Sequence, residues 1–86
     1  MWLSVVELRP PTSGDIEALA ANLRPQDAAE LNAAGHSDHR AVIADSVRRS
    51  DWALTSLQDG EVITIGGVAP MGGLLDPRGV PWMLGT

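Results

Sequence analysis

Two runs of residues specify most of the sheet in this domain: Glu61-Val62-Ile63-Thr64-Ile65-Gly66-Gly67-Val68-Ala69-Pro70 and, after a glycine-rich segment, Val80-Pro81-Trp82-Met83-Leu84-Gly85-Thr86. Both runs are rich in apolar and β-branched residues, a composition typical of strands. Asp59-Gly60 separates the first run from another extended segment at residues 52–57, and both turn residues tolerate the positive φ of a tight hairpin. The sequence therefore predicts an antiparallel meander of about three strands.

Glycine and proline mark the irregular positions of this predicted sheet. Gly66-Gly67 cannot pack side chains, so we predict a bulge or a close backbone approach there rather than a regular strand interior. Residues 70–79 contain repeated Gly and Pro and are predicted to form a loop. Residues 80–84 are predicted to form the fourth strand, with Pro81 near its start or on an edge.

The amino-terminal residues are predicted to form one strand and one helix. Residues 3–8 are apolar and β-branched, and Pro10-Pro11 ends the ladder that they could form. Thr12 lies three residues before Asp15, which is a capping pattern at the start of a helix. One face of that helix carries four apolar residues at helical spacing, namely Ile16, Leu19, Ala20 and Leu23.

Two further helices are predicted before the meander. Pro25 suits the first turn of a helix over residues 26–34, which Gly35 would close. A third helix follows Asp38, with Arg48-Arg49 in its last turn and an apolar side formed by Val42, Ile43 and Val47. We therefore predict a single α+β domain over residues 1–86: a strand, two or three short helices, then the meander.

Composition limits the kinds of partner. The chain has 86 residues, which allows one small core, and its only aromatic residues are three Trp, so that core must be mainly Ala, Val, Leu and Ile. It has no Cys, which excludes disulfides and thiolate metal sites. The net charge is −5 and there is no Lys, which argues against nucleic acid as a partner. Residues 1–7 fit neither a signal peptide nor a membrane span, so no membrane partner is predicted.

Motifs for catalysis or metal binding are weak. Gly66-Gly67 and Gly72-Gly73 do not lead into a helix with Lys or Ser/Thr, so we interpret them as bulge and loop glycines rather than a phosphate cradle. His36 and His39 supply at most two metal ligands, and we interpret them as loop or cap residues. No Ser lies in a strand–elbow–helix context. We predict no catalytic residue and no metal site.

Acidic and aromatic residues allow structural interpretations. Asp15, Glu17, Asp27 and Glu30 fall near helix starts, where carboxylates interact favourably with the helix dipole. Trp82 has two interpretations that the sequence leaves open. It is either an anchor in an interface or the bulky side chain that fills the core of a Phe-free domain.

Several short segments of the sequence together resemble a known family. They are Val6-Glu7-Leu8-Arg9-Pro10, residues 15–20, residues 23–27 with Glu30-Leu31, Gly60 with residues 65–70, and residues 79–86. In order and spacing they resemble the amino-terminal half of the GNAT (GCN5-related N-acetyltransferase) fold. The sequences of these segments are most similar to those of a phage-encoded branch, the internal-virion-protein-A-like acetyltransferase relatives. The resemblance covers nearly the whole chain.

The resemblance implies two alternative functions. A working GNAT enzyme continues past the fourth strand into a loop and helix whose backbone amides bind acetyl-CoA, whereas this sequence ends at Thr86. We therefore expect a truncated, non-catalytic interaction protein without a cofactor, phage-encoded and located in the virion or host cytoplasm. Its fourth strand would be an exposed edge that binds a protein partner or a second copy, through Val80, Trp82, Met83 and Leu84.

The alternative is an N-acetyltransferase whose acetyl-CoA site is completed by another chain. In that case the resemblance implies that four residues of the third strand, Gly66, Gly67, Val68 and Ala69, line the pantetheine side of the site. The two predictions differ in whether this chain binds acetyl-CoA.

Overall fold

A computed structural model describes residues 6–70 and 79–86, which form one strand, three helices and a three-strand meander. The elements are β1 (Val6–Arg9), α1 (Ser13–Ala21), α2 (Pro25–Ala33), α3 (His39–Arg49), β2 (Trp52–Gln58), β3 (Glu61–Pro70) and β4 (Gly79–Gly85). All neighbouring strands are antiparallel, in the order β1-β2-β3-β4. The predicted α+β architecture is confirmed. Residues 3–5 of the predicted first strand, and residues 71–78 of the predicted loop with Gly72-Gly73, lie outside the described residues.

The core lies between the helices and one side of the sheet, which we call the helix side. Helices α1 and α3 pack against β3, and Leu19, Ile43 and Ile65 are fully buried where they meet. Partly buried residues surround them: Ile16, Ala20, Leu23, Val47, Val62, Trp82 and Leu84. The domain is therefore two layers thick within the described residues, with a small aliphatic core.

The predicted start of α1 is confirmed by a capping box. The Asp15 backbone N–H donates to Thr12 Oγ1 at 3.1 Å, and the Thr12 backbone N–H donates to Asp15 Oδ2 at 3.0 Å. The helix ends at Ala21, so Leu23, predicted on its apolar face, reaches the core from the connection to α2 instead. Asn22 ends the helix because its side-chain amide donates to the Ala18 carbonyl at 2.9 Å.

The second and third helices follow the predicted signals. Pro25 occupies the first turn of α2, and Gly35 has a φ of +88° just beyond it. At α3, the Asp38 carboxylate accepts from the Ala41 backbone N–H at 3.1 Å, and Arg48 and Arg49 lie in the last turn. Local capping chemistry therefore sets most of the helix boundaries.

The hairpin between β2 and β3 has the predicted turn and a bulge that was predicted elsewhere. Asp59 has a φ of +51° and Gly60 of +82°, as a primed turn requires. Ser56 pairs with Thr64 whereas Leu57 pairs with Val62, so Ile63 is the extra residue of the bulge. Because the extra residue reverses the alternation of faces, Val62 and Ile65 both reach the helix side.

Gly66-Gly67 continue the regular ladder, so the bulge predicted at these residues is not found there. The other prediction, a close backbone approach, is what the structure has. A Cβ at Gly67 would collide with the Trp52 carbonyl oxygen, and one at Gly66 would lie 2.9 Å from the Trp82 carbonyl oxygen. Pro70 and Gly79, predicted as loop residues, pair with each other at the ends of β3 and β4.

Replacing Gly67 with Ala should destabilise the domain, whereas Gly14→Ala should not. The new methyl at position 67 meets the backbone of β2, which cannot move without opening the ladder, so we expect a loss of about 1–3 kcal/mol. At Gly14 the new Cβ would be 3.8 Å from Thr12 Oγ1, an ordinary contact, and Ala favours the helix by about 0.5–1 kcal/mol. Urea unfolding of both variants measures this, and equal stabilities would contradict it.

Candidate functional site

The carboxyl-terminal end of β4 is held by a set of hydrogen bonds that we call the Asp27 clasp. The Gly85 backbone N–H donates to Asp27 Oδ2 at 2.9 Å, and the Arg24 backbone N–H donates to the Gly85 carbonyl at 2.9 Å. The Arg24 guanidinium also donates to Asp27, at 3.0–3.2 Å. The Gly85 N–H, and then Arg24, lower the pKa of the buried Asp27 carboxyl. The clasp joins the first turn of α2 to the far edge of the sheet.

The clasp partly closes the strand edge that the sequence predicted to be open. Since the Gly85 N–H and C=O point away from β3, alternation places the backbone groups of Met83, Pro81 and Gly79 on the same outer side. The Thr86 N–H donates inward to Ile63 at 2.9 Å, which agrees with this alternation. Pro81 has no N–H, and that of Gly85 is engaged. The outer edge of β4 is therefore a poor template for an added strand.

A second buried carboxylate ties β1 to α1. Asp15 accepts from Arg9 Nη2 at 2.6 Å and from Arg9 Nε at 3.3 Å. The Arg9 bond, helped by the Thr12 N–H, lowers the pKa of Asp15 to about 2. The buried Thr55 hydroxyl lies close enough to favour the ionised form as well, but it makes no hydrogen bond of normal geometry with any described residue.

These contacts show what the acidic residues do chemically. Asp15 and Asp27 are both buried and bound to an arginine, whereas Glu17 and Glu30 are exposed. A carboxylate whose pKa is held low accepts a proton poorly, so neither buried aspartate is suited to general base catalysis. Their arrangement agrees with the structural interpretation made from the sequence.

A cleft of about 520 Å³ lies between α3 and β4. Its walls are mainly apolar, and its lining residues are His36, Ala41, Val42, Asp45, Ser46, Arg49, Ala69, Val80 and Trp82. The Trp82 ring packs against the core, and its Nε1–H donates to Ser50 Oγ at 2.6 Å. Of the two interpretations of Trp82, the core-filling one describes its position, with part of the ring lining this cleft.

Charged groups near the cleft are paired with one another. Asp45 accepts from Arg48, which lowers the pKa of Asp45, and from Arg49 Nε at 2.8 Å. His39 Nε2 lies 2.8 Å from Asn32 Oδ1. Across residues 6–70 and 79–86, no three potential metal-ligating side chains come together.

The side of the sheet opposite the helices forms a surface that we call the open face. In described residues, register and burial place these side chains on it: Val6, Leu8, Trp52, Leu54, Ser56, Gln58, Glu61, Thr64, Val68, Pro70, Pro81 and Met83. No described helix covers it. Met83 is 67% exposed and Leu8 63% exposed, fractions unusual for large apolar side chains in a sheet. Gly66 lies near the middle, between its register partners Leu54 and Met83.

The residues predicted to bind a cofactor lie in the middle of the sheet. Gly66, Gly67 and Val68 pair with β2 on one side and β4 on the other, and Ala69 pairs with Val80. The backbone of residues 66–68 is therefore occupied by two ladders. Ala69 lines the α3–β4 cleft.

The residues predicted to form an interface point to two different sides. Trp82 and Leu84 pack on the core from the helix side, and Val80 lines the cleft on that side. Met83 points to the open face. These four residues therefore do not make one continuous surface.

Sequence reasoning missed two features, the open face and the clasp. A signal for the open face was present, because β2 carries apolar residues at both parities: Trp52 and Leu54 on one side, Leu57 on the other. The clasp had no local signal, since Asp27 and Gly85 are 58 residues apart.

Comparisons of this chain with models of known protein families, with curated proteins and with solved structures gave no match. Among the described residues, no helix has the length and apolarity needed to span a membrane. The GNAT resemblance therefore stays a prediction that depends on the residues quoted for it.

Asp27→Ala should destabilise the domain much more than Asp45→Ala. The first change leaves the Gly85 N–H without its acceptor and Arg24 without its partner, so we expect a loss of about 2–3 kcal/mol. Asp45 is a surface ion-pair residue whose partners stay solvated, so its replacement should cost little. Urea unfolding measures both, and faster hydrogen exchange at the Gly85 amide should accompany only the first change. Similar losses for the two variants would show that the clasp does not hold β4.

Asp15 should make the domain less stable as the pH falls from about 4 to about 2. Its folded pKa of about 2 lies below the ordinary aspartate pKa of 3.8, so the stability that Asp15 contributes is complete above pH 3.8 and is lost on acidification. A shift of this size corresponds to roughly 2 kcal/mol. Unfolding free energies of the native chain and of Asp15→Asn, measured between pH 5 and pH 2.5, should converge. Parallel curves would contradict this role of Asp15.

Proposed function

We propose that this chain is a non-catalytic protein-interaction module that binds its partner through the open face. One observation carries the proposal. Among residues 6–70 and 79–86, five of the six exposed large apolar side chains lie on that face: Val6, Leu8, Trp52, Leu54 and Met83. Soluble proteins rarely expose contiguous apolar surface of this kind unless it binds something.

The packing supports the same proposal. The buried core is made on the helix side, by Leu19, Ile43 and Ile65, and the open-face side chains do not contribute to it. Their apolarity therefore adds little to folding, while it favours association. The paired, low-pKa carboxylates Asp15 and Asp27 support a module without acid–base chemistry. The phage resemblance supports a location in the virion or in the host cytoplasm.

A second candidate function is the N-acetyltransferase completed by another chain. The observation that favours it is the α3–β4 cleft, whose volume of about 520 Å³ is within the range of small-molecule sites and whose lining includes Ala69. Against it, binding along the backbone of Gly66, Gly67 and Val68 would require one of two ladders to open. We therefore rank the interaction module first.

Apolar-to-polar changes on the open face should leave the fold stable, and acetyl-CoA should not stabilise it. Leu8→Gln and Met83→Gln should each change the unfolding free energy by about 1 kcal/mol or less, because only cross-strand contacts are lost. The control Ile65→Ala, in the core, should cost about 2–5 kcal/mol. Thermal and urea unfolding measure these effects.

The acetyl-CoA measurement separates the two candidate functions. A ligand present at a hundred times its Kd adds about 2.7 kcal/mol to folding stability, which is a clear rise in Tm. A rise with millimolar acetyl-CoA, matched against CoA alone and ATP, would overturn the interaction module in favour of the acyltransferase. Unfolding of Leu8→Gln and Met83→Gln would show that the open face serves folding instead of binding.

A further inference from the structure

We infer that the partner of the open face is a second copy of this chain, packed face to face. The inference rests on the proposed function and names its partner. Charge is the first argument. The chain carries a net charge of −5, yet the only charged side chain that the described residues place on the open face is Glu61, at the hairpin end.

The nearly uncharged open face of this acidic protein favours some kinds of partner over others. Two copies repel each other through most orientations, and they approach with the least repulsion where no charge lies between them. A strongly basic partner would instead be drawn to the acidic surfaces and would find no complementary charge on this face. The open face is therefore suited to a copy of itself, whose matching surface is equally apolar and uncharged.

Shape is the second argument. Gly66 leaves a hollow between its register partners Leu54 and Met83, which project on either side of it. In a two-fold interface the same patch meets itself, so a projecting residue of one copy contacts the recessed residue of the other. Met83 of each copy is placed to enter the Gly66 hollow of its partner. A Cβ at position 66 is excluded by the Trp82 carbonyl 2.9 Å away, so the hollow is a fixed feature.

The area of the face agrees with a weak, reversible association. Four strands spaced ~4.8 Å apart, with about seven residues rising ~3.3 Å each, make a face of roughly 400 Å². Two such faces bury about 1,000 Å² in total once their rims are included, which is at the low end of specific interfaces. We therefore expect a reversible dimer with a Kd in the micromolar range. We propose packing by faces, about 10 Å apart, since the apolar side chains lie on the face and the clasp and Pro81 disfavour strand addition at β4.

Sedimentation of the whole chain over 5–500 µM tests the inference with a charge pair. The native chain should show a monomer–dimer equilibrium. Met83→Lys and Met83→Glu should each weaken it at least tenfold, because each places two like charges in an apolar interface. An equimolar mixture of the two variants should associate again, since opposite charges then meet. This rescue requires that copies of the open face contact each other.

Val80→Lys is the matched control. Val80 is on the same strand and is 44% exposed, but it lies on the helix side beside the cleft, so its change should leave the dimer unaffected. Leu8→Lys, on β1, is a second open-face variant that should weaken the dimer as Met83→Lys does. Circular dichroism of each variant verifies that it is folded.

Three results would overturn the inference. The first is a native chain that stays monomeric at 500 µM, which would assign the open face to another protein. The second is a dimer that Val80→Lys abolishes and Met83→Lys does not, which would place the interface on the helix side. The third is folded Lys and Glu variants that fail to associate when mixed. None of these alone overturns the interaction module, which depends on the acetyl-CoA and stability measurements.

Discussion

The hydrogen bonds that the buried Asp27 carboxylate accepts attach the edge of the sheet to the helical layer. The carboxylate binds the Gly85 amide and the Arg24 guanidinium, while the Arg24 amide binds the Gly85 carbonyl. A carboxylate inside a protein is tolerated only when hydrogen-bond donors replace the water it has lost. Here the donors are the Gly85 N–H and the Nε and Nη2 groups of Arg24. Through the Asp27 carboxylate the first turn of α2 fixes the last residues of β4, and with them the position of Trp82 and Leu84 over the core.

The Asp27 clasp also determines which surface remains for binding. It uses the backbone groups at the end of β4, and Pro81 lacks an N–H, so the described sheet has little to offer an added strand there. The helices cover one side through Ile65 and its neighbours. What remains is the opposite side, where the apolar residues are numerous and charge is nearly absent. The interaction that we propose therefore depends on the two-sided nature of the sheet rather than on a pocket.

Local signals in the sequence predicted the fold well. Thr12 with Asp15, Gly35 and Asp59-Gly60 each act within a few residues of themselves, and each formed the cap or turn that was predicted. Features that depend on distant partners were not predictable in this way. The bulge falls at Ile63 because Val62 and Ile65 both pack toward the helices. No residue near Ile63 is a sequence signal for a bulge.

The candidate site was predicted only in part for the same reason. Met83 was expected at an interface and points to the open face, but its neighbours Trp82 and Leu84 turn inward, since alternation along β4 separates them. Val6, Leu8, Trp52 and Leu54 come from strands far apart in sequence, and only the register brings them together. Apolar residues at both parities, in β2 and again in β4, were the signal that could have indicated a second apolar side.

The position of β1 has a consequence for how the domain folds. The described part of the strand has four residues and joins β2 across a connection of about 40 residues, whereas β2, β3 and β4 follow one another along the chain. Closing so long a connection costs conformational entropy, so the meander and helices form first and β1 docks late. Its attachment then depends on Arg9, which binds Asp15, and on its ladder with β2. Because β1 supplies Val6 and Leu8, an occupant of that surface would stabilise the docked strand by mass action and couple the last folding step to assembly.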